Sequence, residues 1–457
     1  MTPSALDLIG QAYRALDTWE AGFGPVVPHP ALAVDAERLG VALDEFLGRT
    51  TAPPRGEAPG MYPFFHPRFA GQMLKPPHPV ALAAYAAAAR INPNNHALDG
   101  GPPTAAMEKE AVGWLAEMLG FPSDALGHLT GGGTVANLEA LFVAREETGG
   151  KAVAVSRDAH YTHARMAHVL GVETVMIEAD DDGRLRLDAL EDALKGGRVG
   201  TVVLTAATTG LGTVDPIAEA VPLCRRYGAR VHVDAAYGGF FAIVAQDVAP
   251  EGFPAADFLA IAGADSVVVD PHKHGLQPYG CGAVLFRDPA VGRHYRHDSP
   301  YTYFTSEALH LGEISLECSR PGAAAAALWL TLRVLPLRAD GGLGPILRAG
   351  LDAARDLAAR LDASDAFRLW ARPETDIVVY APAAETVSAT DTAAGAVFEA
   401  GMADPDDPLF LSLYRLDAAR LGRRWGTVAD APAARVLRSV LMKPEHEAAV
   451  PWISSRL

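Results

Sequence analysis

The chain is predicted to be an α/β protein: a largely parallel sheet covered by helices on both faces, followed by a smaller C-terminal domain. Three observations carry this. From about residue 105, short apolar runs near 152–155, 173–177, 201–205, 230–233 and 265–269 alternate with helical or loop segments, the βα signature of a parallel sheet. The run Val267 to Val269 is wholly β-branched, as a buried strand would be. Around "VLPLRADGGLGP" (334–345) the alternation breaks, and a new helix with its own strands begins.

In chain order, "ALDLIGQAYRALD" places Leu6, Ile9, Ala12 and Leu16 on one helical face, and a second helix is expected near Asp35 to Leu47. "TAPPRGEAPG" then reads as a linker or arm boundary. "AAMEKEAVGWLAEMLG" and "VANLEALFVAREE" read as helices flanking a Gly-rich turn, with Trp114 and Trp329 in core positions. The C-terminal part opens with helix "ILRAGLDAARDLAARLDAS" and continues through strands near "TDIVVYAP" and "LFLSLYRL". Three units follow: 1–85, an N-terminal helical arm; 86–340, the large sheet domain; 341–457, the small domain.

Composition bounds the partners. With 457 residues, 49% hydrophobic and 21% charged, the chain can bury a large core. Its net charge of −16 argues against nucleic acid and anionic membrane surfaces and for a small-molecule partner. Cys224, Cys281 and Cys318 lie far apart with no CxxC pair, and Cys281 and Cys318 read as small buried residues. No secretory leader or membrane-spanning run is visible, so a reducing cytoplasm is expected.

Ligands of open parallel sheets bind beyond the carboxyl ends of the strands. There the chain places His160 in "RDAHYTHAR", Thr208 and Thr209 in "AATTG", Asp234 in "HVDAAYGG" and Lys273 in "DPHKHG". A lysine beside an apolar sheet has its pKa depressed and can serve as an imine-forming nucleophile or base. "TGGGT" sets Gly131, Gly132, Gly133 and Thr134 at a helix start, where free N–H groups suit a phosphate, though the spacing is that of neither a dinucleotide fingerprint nor a P-loop. His160, His163 and His168 lack the HExxH spacing, and no metal site is expected.

These motifs, "HVDAAYGG", "DPHK" and the Ala159–His160 pair, resemble the pyridoxal-phosphate-dependent decarboxylases of the glutamate and aromatic amino-acid group, from about 66 to about 345. The resemblance implies an aspartate-aminotransferase-like fold (fold type I) with a mostly parallel seven-stranded sheet, pyridoxal 5'-phosphate as cofactor, and a homodimer with active sites at the interface. It makes Lys273 the Schiff-base lysine and Asp234 the partner of the pyridine nitrogen. His160 would stack on the ring, Gly132, Gly133, Thr134 and His272 would hold the phosphate, and Thr208, Thr209 and Ala236 would line the ring pocket. The segment after "HPRF" implies substrate contacts at Gln72, Met73 and Lys75, with Lys75 suited to a side-chain carboxylate.

The reaction implied is decarboxylation of an L-amino acid. The loop 334–344, where the family carries a proton-donating tyrosine, has none; Tyr301 and Tyr303 are the replacements weighed, with Tyr303 taken as catalytic. His274 follows Lys273, and "HKHG" is similar to the sphingosine-phosphate lyase branch. Carbon–carbon cleavage, transamination and a cofactor-free scaffold therefore stand beside decarboxylation.

Overall fold

The computed structural model describes residues 3–52, 60–296, 311–404 and 406–457. The apolar runs become strands Leu126–Thr130 (β1), Ala152–Ser156 (β2), Thr174–Ile177 (β3), Val199–Thr205 (β4), Arg230–Asp234 (β5), Ser266–Val269 (β6) and Gly282–Phe286 (β7). They form one seven-stranded sheet in the order β1-β7-β6-β5-β4-β2-β3. Only the pairings of β7, with β1 and β6, are antiparallel. Val202, Val231, Val233, Val267 and Val269 are wholly buried in the main core, as expected for strands covered on both faces. Thr205 pairs with Asp234 and Asp234 with Val268, so β4, β5 and β6 finish at one level and release their following loops side by side.

Helix Gly344–Asp362 opens the C-terminal part and buries Leu347, Leu351, Leu357 and Leu361. Beside it strands Phe367–Leu369, Ile377–Pro382, Ala433–Val440 and Ser412–Asp417 form an antiparallel sheet in that order. Residues 67–71, which the sequence groups with the N-terminal arm, are held by this sheet: Ala70 N–H donates to Phe410 O and Val440 N–H to Ala70 O, each at 2.8 Å. Ion pairs clasp the small domain to the loop 180–182, with Arg423 Nε 2.7 Å from Asp181 and Arg424 on Asp182.

Helices Ala5–Ala21 (α1) and Ala36–Thr51 (α2) have no buried residue. The segment 334–344 forms a hairpin, Leu337–Arg338 against Gly341–Gly342. Cys224 and Cys281 are buried, but Cys318 is exposed, which corrects its reading as a buried residue: it lies in an irregular stretch that neither sheet covers. Among the described residues no helix is long and apolar enough to cross a membrane.

Candidate active site

Beyond the level ends of β4, β5 and β6 lies a cavity of about 330 Å³. Its wall includes Gly132, Gly133, Thr134, His160, Thr209, Asp234, Ala236, His272 and Lys273, all expected from the sequence. Thr208 is not among them: its hydroxyl is 3.1 Å from that of Thr213, and its N–H donates to Thr213 O, so it braces the turn after β4. Gln72 lines an adjoining compartment that shares His160 and Thr209 with the cavity. Met73 packs instead on a small-domain cluster around Trp370 and Ile377, and Lys75 Nζ donates to Met442 O at 3.3 Å. Tyr301 and Tyr303 lie outside the described residues.

The floor of the cavity is a fixed negative charge. Burial pushes the Asp234 carboxyl up, but it is outweighed by His163, whose Nε2 is 2.8 Å from Oδ2, by the charge of Lys273 and by the Ala236 N–H at 3.1 Å. The carboxyl is held well below the usual range, so Asp234 stays ionised at any working pH. Lys273 Nζ lies 3.0 Å from Asp270 Oδ2 and is one-fifth exposed, the amine that opens to the cavity. Burial lowers the pKa of both His160 and His272 and favours neutral rings beside the cavity. His274 points the other way: it is buried against Tyr237 and Phe241, 4.7 and 5.1 Å between ring centres, and its Nε2 is 3.4 Å from Asp376.

The opposite wall suits an anion. Helix Gly133–Thr148 starts at Gly132, whose φ of +144° favours glycine, and among the described residues no side chain caps its first N–H groups. A Cβ on Gly282 would lie 2.6 Å from Gly132 Cα, so β7 can approach the turn only through a glycine. A Cβ on Gly133 would meet Asp270 Oδ2 at 2.7 Å. The three glycines thus keep the helix start bare and close to the loop that bears His272 and Lys273.

Several participants escaped the sequence reading. In the sequence His163 reads only as a metal candidate, yet it anchors Asp234 from 71 residues away. Asp270 sits inside the "DPHK" motif, and its i,i+3 spacing to Lys273 was a usable signal. Tyr237 lines the cavity and donates its hydroxyl to Asp376 Oδ1 at 2.5 Å, a contact with the small domain that no local pattern announces. Arg438, on the wall of the adjoining compartment, is likewise a small-domain residue.

A ring with a phosphate at one end and a basic nitrogen at the other fits between the bare helix start and Asp234, with an amine available to bind it covalently. That is the make-up of pyridoxal phosphate, and the molecule falls in the class of fold type I pyridoxal-phosphate enzymes. The family model described as the pyridoxal-dependent decarboxylase conserved domain matches residues 58–382, and the chain belongs to that family. A relative named "probable L-tyrosine/L-aspartate decarboxylase", from Methanothermobacter thermautotrophicus, is 31% identical over 315 residues, covering 68% of this chain and 82% of the relative. The L-aspartate decarboxylase of Thermococcus kodakarensis is 31% identical over 312 residues, covering 68% and 78%. Among solved structures, Oryza sativa TDC with PLP and tryptamine superposes with a TM-score of 0.76 at 20% identity over 99% of this chain and 95% of that one. Mouse CSAD in apo form gives 0.74 at 21% identity over 93% and 91%. The chain is a pyridoxal-phosphate-dependent amino-acid decarboxylase; the carbon–carbon lyase and aminotransferase alternatives find no support in these matches.

Proposed function

We propose that this decarboxylase acts on a short acidic L-amino acid of the aspartate type, releasing its α-carboxylate as carbon dioxide. The observation that carries the substrate class is Arg438. Arg438 is 6% exposed; its guanidinium donates from Nε to Gly210 O at 3.1 Å and from Nη1 to Gly71 O at 3.3 Å, and Nη2 has no partner among the described residues. A buried guanidinium nitrogen without an acceptor is costly, and a carboxylate reaching the compartment beside His160 and Thr209 would satisfy it. Arg438 takes the part that the sequence suggested for Lys75, whose ammonium is turned to Met442 O. The names of the relatives, L-aspartate and L-tyrosine/L-aspartate decarboxylase, favour the same class.

The roles within the site follow from position and charge. When bound, pyridoxal phosphate supplies an electron-accepting ring for the electron pair left by the departing carboxylate. Lys273 Nζ would hold the cofactor covalently, with Asp270 beside it at 3.0 Å to pair with the ammonium before the bond forms. Asp234, kept ionised by His163, would hold a proton at the ring nitrogen. Gly132, Gly133, Thr134 and His272 would hold the phosphate, while His160, Thr209 and Ala236 would bound the ring. Tyr303 is assigned the proton returned to the substrate carbon, on the chemistry of its phenol.

The enzyme is further read as a cytoplasmic homodimer with active sites at the interface. Support comes from three unpaired cysteines and from the exposed apolar side chains of α1 and α2. The test of the substrate class is carbon dioxide release from aspartate, glutamate and tyrosine by wild type and Arg438→Met. Preference for aspartate, with a hundredfold or so rise in KM in the variant, is expected for loss of a charged partner. Preference for tyrosine, unaffected by the variant, would refute the reading.

A further inference from the structure

The compartment beside Arg438 has a wall that none of the steps above uses. Tyr414 projects from strand Ser412–Asp417 and is half-buried. Its ring rests on Gly210: a Cβ there would lie 2.5 Å from Tyr414 Cζ and 2.6 Å from its hydroxyl oxygen. Only a glycine lets the ring seat this closely against the turn that carries Thr209.

The ring is also held from its outer end. Tyr414 Oη is 3.5 Å from Asp158 Oδ1, and Asp158 is gripped by Arg420 Nη1 at 3.0 and 3.1 Å, with both partners buried. Burial, and after it the charge of Asp158, push the phenol up to about 12, so the wall is a neutral hydroxyl at working pH. On the far side lies a second hollow of about 280 Å³, whose lining includes Arg415, Asp417 and Arg420. Tyr414 lines both this hollow and the compartment of about 430 Å³ that contains Arg438. With Arg157 and Asp158, which line both as well, the ring forms the partition between them.

We propose that Tyr414 is the specificity-determining residue that limits the length of the acidic side chain this enzyme accepts, by closing the compartment just beyond Arg438. The inference rests on the reading of Arg438 as the carboxylate's partner. A substrate whose second carboxylate reaches Arg438 fits in front of the ring; additional methylenes must displace it. Without the ring, only Arg157 and Asp158 would stand between the compartment and the outer hollow of Arg415 and Arg420.

Inert dicarboxylates of increasing length test this by competition against the decarboxylation assay and by thermal shift of the protein. Succinate, glutarate and adipate are compared with butyrate as the single-carboxylate control. Wild type is expected to bind succinate at least about tenfold tighter than adipate, the discrimination typical of a pocket that is short by one or two methylenes. Tyr414→Ala should reduce that ratio to about threefold or less by admitting adipate, whereas Tyr414→Phe, which keeps the ring, should preserve it. Gly210→Ala, whose methyl group would push the ring away, should relax the ratio in the same direction and serves if Tyr414→Ala does not fold. An unchanged ratio in a folded Tyr414→Ala or Gly210→Ala protein overturns the role of Tyr414 and leaves the acidic-substrate reading intact. If wild type holds butyrate as tightly as succinate, the acidic-substrate reading fails, and this proposal with it.

Discussion

His163 decides the protonation of Asp234, and through it the proton at the ring nitrogen. Of the influences on that carboxyl, burial alone pushes it toward the neutral acid, and the His163 hydrogen bond and charge are the largest opposing ones. In wild type the carboxyl is held below its usual range, so it remains ionised as pH falls through that range. In His163→Gln the opposition is weakened, the folded-state pKa rises, and the carboxylate is lost at a higher pH. We expect kcat/KM to fall by about ten- to a hundredfold, as when a residue orienting a key ligand is removed, with the acid limb of the pH–rate profile displaced upward. A profile of unchanged height and unchanged acid limb would show that Asp234 does not depend on His163.

At the scale of elements, a buried lysine adds to the backbone hydrogen bonds that fasten the segment 67–71 to the small sheet. Lys443 is 1% exposed, donates to Phe69 O at 2.6 Å and lies 5.3 Å from the centre of the Phe69 ring. Burial, reinforced by the charge of Lys75, pushes it down to about 7. An unfolded lysine titrates near 10.4, so between about pH 7 and 10 the unfolded chain binds the proton that the folded chain does not. Stability from this group is therefore present above the unfolded value and lost as pH falls toward 7. Urea denaturation from pH 7 to 10 should show wild type gaining stability relative to Lys443→Met, by up to about 1.4 kcal/mol per pH unit. Parallel curves for the two proteins would mean that Lys443 titrates normally.

For the whole molecule, the N-terminal helices carry more apolar surface than one chain covers. Leu39, Leu43 and Phe46 of α2 are 53%, 50% and 60% exposed at i, i+4 and i+7, a continuous stripe on one helical face. A second copy of the chain is the proposed partner. Sedimentation should give the mass of two 48.1 kDa chains, and Phe46→Glu should shift the population toward one chain while lowering activity, because a buried interfacial charge without a partner is costly. A fully active single chain in wild type would exclude the interface.

What could be read from the chain alone was what neighbours in sequence decide. The β-branched and apolar runs fixed β2 to β6, and Asp234 at the end of β5 and Lys273 just past β6 were legible because strands in register deliver their ends and following loops to one edge. Strand β1 escaped because its five residues include Gly127 and the buried His128, which break the apolar pattern; His128 is kept inside by Glu139 at 2.9 Å. The strand Ala433–Val440 was hidden similarly, since Arg435 and Arg438 interrupt it and are answered by Asp391 and by backbone carbonyls of 71 and 210. Tertiary structure alone decided the pairings across long separations: His163 with Asp234 over 71 residues, Tyr237 with Asp376 over 139, and Arg438 with Gly210 over 228. It also turned Lys75 away from the cavity and set Tyr414 against Gly210. The physical reason is that periodicity and turn chemistry act over a few residues, whereas the ionisation of Asp234 depends on a side chain that the seven-stranded sheet brings beside it, and the length of the substrate compartment on side chains brought together only when the two sheets pack.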